Sequence, residues 1–234
     1  FIRDIPLHKL TLKGYKMEST VTSASRLINK SIKELSLTGT FAKFSYLKLP
    51  NLDKLELINC EVTPDAKLPI RYLSLCGCEL WNLDMRLLSL HLEHIARPTN
   101  MKLLPTSLVT LIIKNVNGVY DEFPSLPKLT TLRLSTSCNC KEFDVEDSES
   151  DDEEGKTIEI SIPDEVWIRI AKSPIQDLHI ESKSLNDTNI HYFAETPINY
   201  LNIKNTEVTI VGLASLKKLP LRKLVTQNIP LHQL

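Results

Sequence analysis

The feature of this sequence that most limits its fold is a short unit that recurs along the chain. Each unit has an apolar residue, two variable residues, Leu, one variable residue, and then Leu or Ile. Ten units open at Leu7, Ile32, Leu52, Ile70, Leu87, Leu108, Leu129, Ile175, Ile198 and Leu221, and Thr226 replaces the last apolar residue of the final one. The alternation within Leu-x-Leu is the period-2 pattern of a short strand with one buried face. The sequence therefore predicts a repeat array in which each unit contributes one strand.

The spacing of the units predicts one more than the ten that are plainly visible. Successive units open 17 to 25 residues apart, but 46 residues separate Leu129 from Ile175. That interval is about two units long, and Ile158 and Ile160 supply the apolar alternation of a degenerate unit that opens at Gly155. We therefore predict about eleven units in a single array over residues 1–234, with an acidic, disordered insertion at about 136–156.

The insertion dominates the charge of the chain. Residues 144–154 carry eight carboxylates and no basic side chain, so the formal net charge of -1 leaves about +7 on the remainder. A run this charged is too costly to bury. Ser148 and Ser150 each precede an acidic residue by three positions. This arrangement is typical of substrates of casein-kinase-2-like enzymes, and it predicts phosphorylation that would deepen the negative charge.

Several units continue with a polar or small residue three positions after the last Leu or Ile, as at Cys60, Cys78 and Thr206. This pattern resembles the leucine-rich-repeat family, and the resemblance extends over nearly the whole chain. It implies an α/β solenoid with a curved parallel sheet on the concave side and helices, 3₁₀ and extended segments on the convex side. Helix-like segments are expected at 20–30, 164–172, 186–195 and 208–218. The resemblance also implies that Cys60 and Cys78 bond to the backbone where each strand ends.

The variable residues of each strand are expected to face outward on the concave side, where they would bind a protein partner. Aromatic and Arg side chains supply most of the energy at such interfaces, so Tyr72, Arg133 and Tyr200 are the first candidates. The other candidates for partner binding are Glu56, Ile58, His91, Ile112, His179 and Lys204. Nucleic-acid binding is a weaker alternative, because the Lys and Arg clusters lie at the two ends of the array and carry no aromatic RNA-binding motif.

Catalysis and cofactor binding have little support in the sequence. The chain lacks the phosphate-binding glycine loops and the hydrolase and zinc-protease motifs. The repeat register places Cys76 outward and Cys78 inward, so these two thiols are poorly placed to share a metal. We expect no enzyme activity, no cofactor and no metal. No apolar stretch reaches the roughly 18 residues of a membrane helix. Five Cys, an odd number, favour a reducing compartment, the nucleus or the cytoplasm.

The irregular unit lengths, the Cys and Thr at the turn position and the helical segments resemble the substrate-recognition region of F-box proteins. That resemblance implies a receptor that presents a client protein to a ubiquitin ligase, with Skp1 and cullin bound through a region outside this sequence. The chain opens on Phe1 within the repeat pattern, so we expect it to be a piece of a longer protein. An adaptor that assembles a nuclear or signalling complex without ubiquitin, and a pathogen effector that binds host proteins, remain alternatives.

Overall fold

The computed structural model describes residues 3–14, 27–39, 41–64, 67–79, 86–95, 99–116, 118–119, 123–136 and 161–227. Its main feature is one parallel sheet of ten strands that follow each other in chain order. These long strands are β1 (Lys9–Lys13), β3 (Glu34–Thr38), β6 (Lys54–Ile58), β8 (Tyr72–Cys76), β9 (Ser89–Glu93), β11 (Thr110–Lys114), β13 (Thr131–Ser135), β14 (Asp177–Glu181), β15 (Tyr200–Lys204) and β16 (Lys223–Thr226). Each strand pairs only with the preceding and the following coil, which is the arrangement of a leucine-rich-repeat solenoid.

The strands form because their leucines stack on one another. Register pairs Leu55 with Leu73, and Leu111 with both Leu90 and Leu132, and this row continues through the sheet. Nearly all the leucines and isoleucines on this face are buried, many completely. Burying one such side chain contributes about 1.5–3 kcal/mol, so each coil gains its stability from the contacts with its neighbours.

The predicted eleventh strand is not in the sheet. All five residues of β13 pair with β14, from Thr131 with Asp177 to Ser135 with Glu181, which leaves no place for a strand between them. The predicted unit at Gly155 was therefore wrong as a strand at that position, and residues 155–160 lie outside the described residues. Most of the expected insertion at 136–156 lies outside them too. Its first residue, Thr136, is buried and donates its backbone N–H to the carbonyl of Glu181, so the regular coil extends at least that far.

The connections on the other side of the sheet vary in structure. Short strands pair there as β2 (Leu27–Ile28) with β5 (Leu47–Lys48), β4 (Phe41–Lys43) with β7 (Glu61–Thr63), and β10 (Thr99–Asn100) with β12 (Gly118–Val119). The 3₁₀ helices are Phe44–Tyr46, Met101–Leu103 and Ile190–Phe193. The α-helices are α1 (Asp164–Ala171) and α2 (Ile210–Ser215).

Two of the four expected helical segments contain an α-helix. Helix α1 matches 164–172 and buries Val166, Trp167 and Ile170, with acidic residues in its first turn. Helix α2 occupies the middle of 208–218, whereas the regular element within 186–195 is a 3₁₀ helix. The segment 20–30 was wrong at its end, because residues 27 and 28 form strand β2; residues 20–26 lie outside the described part of the chain.

Most coils turn at the end of the long strand through a residue with positive φ. These residues are Gly14, Gly39, Asn59, Gly77, His94, Asn115 and Asn205. For Gly14 through Asn115, the N–H of the turn residue donates to a carbonyl of the next coil, as from Gly39 to Ile58 at 2.8 Å. The turns therefore continue the ladder of hydrogen bonds and fix one edge of the sheet.

Cys60 and Cys78 also connect neighbouring coils, as the resemblance implied. The Cys60 thiol lies 3.3 Å from the carbonyl oxygens of Leu37 and Ile58, and its backbone N–H donates to Sγ of Cys78 at 3.3 Å. The Cys78 thiol lies 3.4 Å from the carbonyl oxygen of Leu57 in the preceding coil. Both residues are buried, and a hydrogen bond with Cys60 together with burial raises the pKa of the Cys78 thiol far above its usual range. Both thiols are structural, and the Cys78 thiol stays protonated.

Candidate binding surface

The variable face of the sheet consists of the first, third and fifth residues of the nine five-residue long strands, and of the first and third residues of β16. Because side chains alternate along a strand, these residues lie opposite the buried leucines. The register aligns them in rows that cross the sheet, and the middle row runs Thr11, Ser36, Glu56, Ser74, His91, Ile112, Arg133, His179, Asn202 and Val225. All nine predicted partner-binding residues lie on this face. Cys76 lies there as well, while Cys78 is buried, as the sequence predicted.

The C-terminal half of the variable face contains a cleft with several cationic groups. We call it the cationic cleft, and its volume is about 190 Å³. Its walls are formed by Lys114, Arg133, Leu134, Ser135, His179, Ile180, Glu181, Asn202 and Lys204. Four consecutive strands of the sheet, β11, β13, β14 and β15, supply these residues. The cleft exists because parallel register brings together residues that are up to 90 positions apart in sequence.

His179 lies at the centre of a polar and aromatic cluster in this cleft. Its ring stacks on Tyr200 with 4.8 Å between centroids, and Lys223 places Nζ 5.1 Å from the centre of the Tyr200 ring. Asn202 Nδ2 lies 3.1 Å from His179 Nδ1, and Asp177 Oδ1 lies 3.2 Å from Nε2. If the Asn202 amide donates to Nδ1, the ring is neutral and carries its proton on Nε2, which faces Asp177.

Burial lowers the pKa of His179, and the charge of Arg133 lowers it further, whereas Asp177 acts in the opposite direction. The Asp177 Oδ1 atom that lies near Nε2 is buried and has no other hydrogen-bond partner. The buried Oδ1 atom of Asn202 has none either. The cluster thus keeps His179 neutral near pH 7 and leaves acceptor atoms with unused capacity.

A second cluster lies in the middle of the sheet around Glu93. His91 Nε2 lies 3.2 Å from one carboxylate oxygen of Glu93, and Lys114 Nζ lies 4.0 Å from the other. Burial lowers the pKa of His91, although Glu93 partly offsets this effect. Burial also raises the pKa of the Cys76 thiol, with Glu93 contributing. Glu93 therefore interacts with His91 and Lys114 at the same time and is not an isolated negative charge.

The N-terminal half of the variable face is organised around Tyr72. This tyrosine is 41% exposed and is one of three large hydrophobic residues that are exposed among the described residues. The guanidinium of Arg71 lies 5.8 Å from the centre of the Tyr72 ring. Arg71 also donates two hydrogen bonds to the carboxylate of Asp53, one of them 2.8 Å long between Nη2 and Oδ2. In the middle row, Ser36 donates to Glu56 at 2.8 Å.

The structure brings some of the predicted residues together and separates others. Arg133, His179 and Lys204 line the cationic cleft, and Tyr200 stacks against it. Tyr72 lies on β8, five strand steps from Tyr200 on β15, which is about 24 Å at the usual strand spacing. The candidates Glu56 and Ile58 lie with Tyr72, and His91 and Ile112 lie between the two groups.

The sequence reasoning missed how the cleft forms. With the predicted eleventh unit in the sheet, His91 and His179 would lie four strand steps apart, but β9 and β14 are three steps apart because that strand is not between them. Lys114, Glu181 and Asn202 line the cleft but were not selected as candidates. Their positions at alternating sites of Leu-x-Leu units were a usable signal, since the same pattern placed them on the variable face. Ser148 and Ser150, the predicted phosphorylation sites, lie outside the described residues.

Within the described residues, no three His, Cys, Asp or Glu side chains are grouped so that they could hold a metal ion. No helix in the described part of the chain is long and apolar enough to cross a membrane.

No family model matches the sequence, and no curated protein matches it. Among solved structures, the crystal structure of the internalin InlF of Listeria monocytogenes is similar to this chain. The alignment covers 95% of this chain and 81% of that chain, with 16% sequence identity and a TM-score of 0.41. A likeness this distant carries no argument, so the description of the fold as a repeat solenoid rests on the repeating units and the ten-stranded sheet of this chain.

Proposed function

We propose that this chain is a protein-interaction scaffold that binds a protein partner on the variable face of its sheet. The observation that carries the proposal is the separation of the sheet into two chemically different sides. One side is filled by stacked leucines, whereas the other presents an exposed tyrosine, a half-exposed arginine and a cleft. Interface energy is concentrated in Tyr, Trp and Arg side chains at such positions.

We propose that this surface acts by binding and not by catalysis. A general base needs a ring nitrogen or carboxylate within hydrogen-bond reach of a nucleophile. In His179, one ring nitrogen faces Asp177 and the other faces Asn202, so neither is directed at a hydroxyl. His91 Nε2 faces the carboxylate of Glu93. These histidines therefore shape the surface as neutral side chains, and no cofactor is needed for that role.

A narrower role within this class is that of a client receptor in a ubiquitin ligase of the Skp1, cullin and F-box type, acting in the nucleus or the cytoplasm. Support for this role comes from the sequence resemblance to the substrate-recognition region of F-box proteins, and Skp1 and cullin would bind outside this sequence. An adaptor that assembles a complex without ubiquitin, or a pathogen effector, would use the same variable face. The three roles differ in the partners that they bring together.

Partner capture with variants of the variable face tests the proposal. The full-length protein would be the bait, and wild type would be compared with a Tyr72→Ala, Arg133→Ala, Tyr200→Ala variant. Val211→Ala is the matched control, because Val211 is 72% exposed but lies on α2, away from the long strands. All three proteins should show the same circular dichroism.

We expect a partner that wild type and Val211→Ala both retain and that the triple variant loses. Co-purification of Skp1 and cullin with all three proteins would support the ligase role, and their absence would remove it while leaving the scaffold. If every captured protein binds the triple variant as well as wild type, the variable face is not the binding surface and the proposal fails.

A further inference from the structure

Cations outnumber carboxylates among the residues that line the cationic cleft, and two further carboxylates, Asp177 and Glu93, lie 4.0 Å from Arg133 and Lys114. Lys114, Arg133 and Lys204 line it, against one carboxylate, Glu181. That carboxylate already accepts a hydrogen bond from Asn205 Nδ2 at 2.8 Å, so part of its capacity is used. The cleft therefore presents three cations and one partly occupied anion to an incoming group.

The three cations are also weakly held. Lys114 and Arg133 approach carboxylates only at 4.0 Å, and their side chains are 46% and 48% exposed. Lys204 is exposed and has no ion-pair partner among the described residues. Contacts of this length between exposed groups contribute little, so exchanging them for a ligand carboxylate costs little. These cations are available to a ligand without the loss of a strong internal salt bridge.

A rigid aromatic group lies directly beside the cations. Tyr200 is held between the ring of His179 and the ammonium group of Lys223. Side chains fixed in this way lose little rotamer freedom when a ligand binds.

We propose that the cationic cleft binds consecutive carboxylates on an acidic segment of the partner protein. This inference rests on the proposed function, because it names the chemistry of the partner that the variable face would hold. The volume of about 190 Å³ suits one or two acidic side chains. The complementary charge favours encounter with an acidic peptide and disfavours a basic one.

Fluorescence anisotropy with labelled hexaglutamate, and with hexalysine and hexaglutamine as controls, tests the proposal on the full chain. Arg133→Gln and Lys204→Gln should each weaken hexaglutamate binding by about fivefold, the upper end for one exposed charge pair. Lys54→Gln is the matched control, since Lys54 is an exposed cation of the variable face on β6, four strand steps from Arg133. It should leave the affinity unchanged. Raising the salt concentration from about 20 mM to about 200 mM should weaken binding further, because exposed charges are screened.

The chain carries its own acidic run, so a further variant in which the eight carboxylates of 144–154 become amides completes the test. Equal hexaglutamate affinities of this variant and of wild type would show that the acidic run does not compete for the cleft, and would support a site for a partner protein. Binding by the variant alone would mean that the run occupies the cleft, and the partner proposal would be overturned.

The proposal is also overturned if hexaglutamate does not bind either protein, or binds Arg133→Gln and Lys204→Gln as tightly as wild type. These failures remain distinguishable from failure of the proposed function. If the triple variant still loses a captured partner while hexaglutamate does not bind, the variable face is an interface but the acidic ligand is wrong.

Discussion

Gly77 should be much less tolerant of substitution than its counterpart Gly39, although both occupy the same turn position. The two residues follow long strands and have φ of +63° and +60°. A Cβ on Gly39 would meet nothing within 4 Å, whereas a Cβ on Gly77 would overlap Oδ1 of Asn59 and lie 3.1 Å from its Cγ. Gly39→Ala therefore isolates the backbone cost, and Gly77→Ala adds the displacement of a neighbouring side chain.

The expected magnitudes follow from these two terms. An L-residue in the left-handed region costs about 1–2 kcal/mol, which is the full effect expected for Gly39→Ala. Moving Asn59 off its preferred rotamer adds about 0.5–1.5 kcal/mol. Gly77→Ala should therefore lower the free energy of unfolding by about 1.5–3.5 kcal/mol, measured by urea denaturation followed by circular dichroism.

The Asn59→Gly background separates the two terms. Removing the amide should reduce the cost of Gly77→Ala to that of Gly39→Ala, because only the backbone penalty remains. Equal costs for Gly77→Ala and Gly39→Ala in the wild-type background would refute the steric part of the reasoning. A negligible cost at both positions would refute the left-handed turn itself.

Three further predictions concern stability. Asp187 accepts hydrogen bonds from the hydroxyl and the backbone N–H of Thr209 and from the backbone N–H of Gly212. Burial raises the pKa of Asp187, but these bonds, the Thr209 hydroxyl first, outweigh that effect and lower it. Asp187→Asn should therefore cost on the order of 1–3 kcal/mol at pH 7. This contribution is lost as pH falls below about 3.9 through the folded pKa, and denaturation at neutral and at acidic pH checks it. Burial is the chief cause that lowers the pKa of His91, so the folded state binds fewer protons than the unfolded state. The melting temperature should therefore fall as pH drops below about 6.5. His91→Gln should reduce this dependence of the melting temperature on pH in a scan from about pH 8 to about pH 5. Leu111→Ala at a fully buried site should lower the free energy of unfolding by about 2–5 kcal/mol, and a cost below that of Leu10→Ala on the half-buried edge strand would contradict the stacked core.

The sequence predicted the strands because each depends on a local pattern. Leu-x-Leu specifies both a strand and its buried face, and identical units then align leucine on leucine, as Leu111 does with Leu132. The same pattern could not decide which coil is the neighbour of which. Ile158 and Ile160 have the alternation of a strand, but β13 pairs with β14 instead. Alternation shows that a segment can bury one face, and it does not specify the strand beside it.

The candidate site was predicted in its residue set but not in its grouping. The outward positions followed from the period of the strand, so all nine candidates lie on the variable face. Their grouping depends on how many strands separate them, and one misplaced unit changed the count between His91 and His179. The cleft also needs Lys114, Arg133 and Lys204 together, and no local pattern connects residues of three different units.

The distance between the two aromatic groups constrains the partner. Tyr72 and Tyr200 lie about 24 Å apart across five strand steps, which an extended peptide spans with about seven residues. A short acidic peptide can therefore occupy the cationic cleft without reaching Tyr72, whereas a folded partner or a longer segment can contact both. Because the two sites share no contact, their effects on a partner that spans both should add. A partner affected by Tyr200→Ala but indifferent to Tyr72→Ala must then bind within the C-terminal half of the variable face.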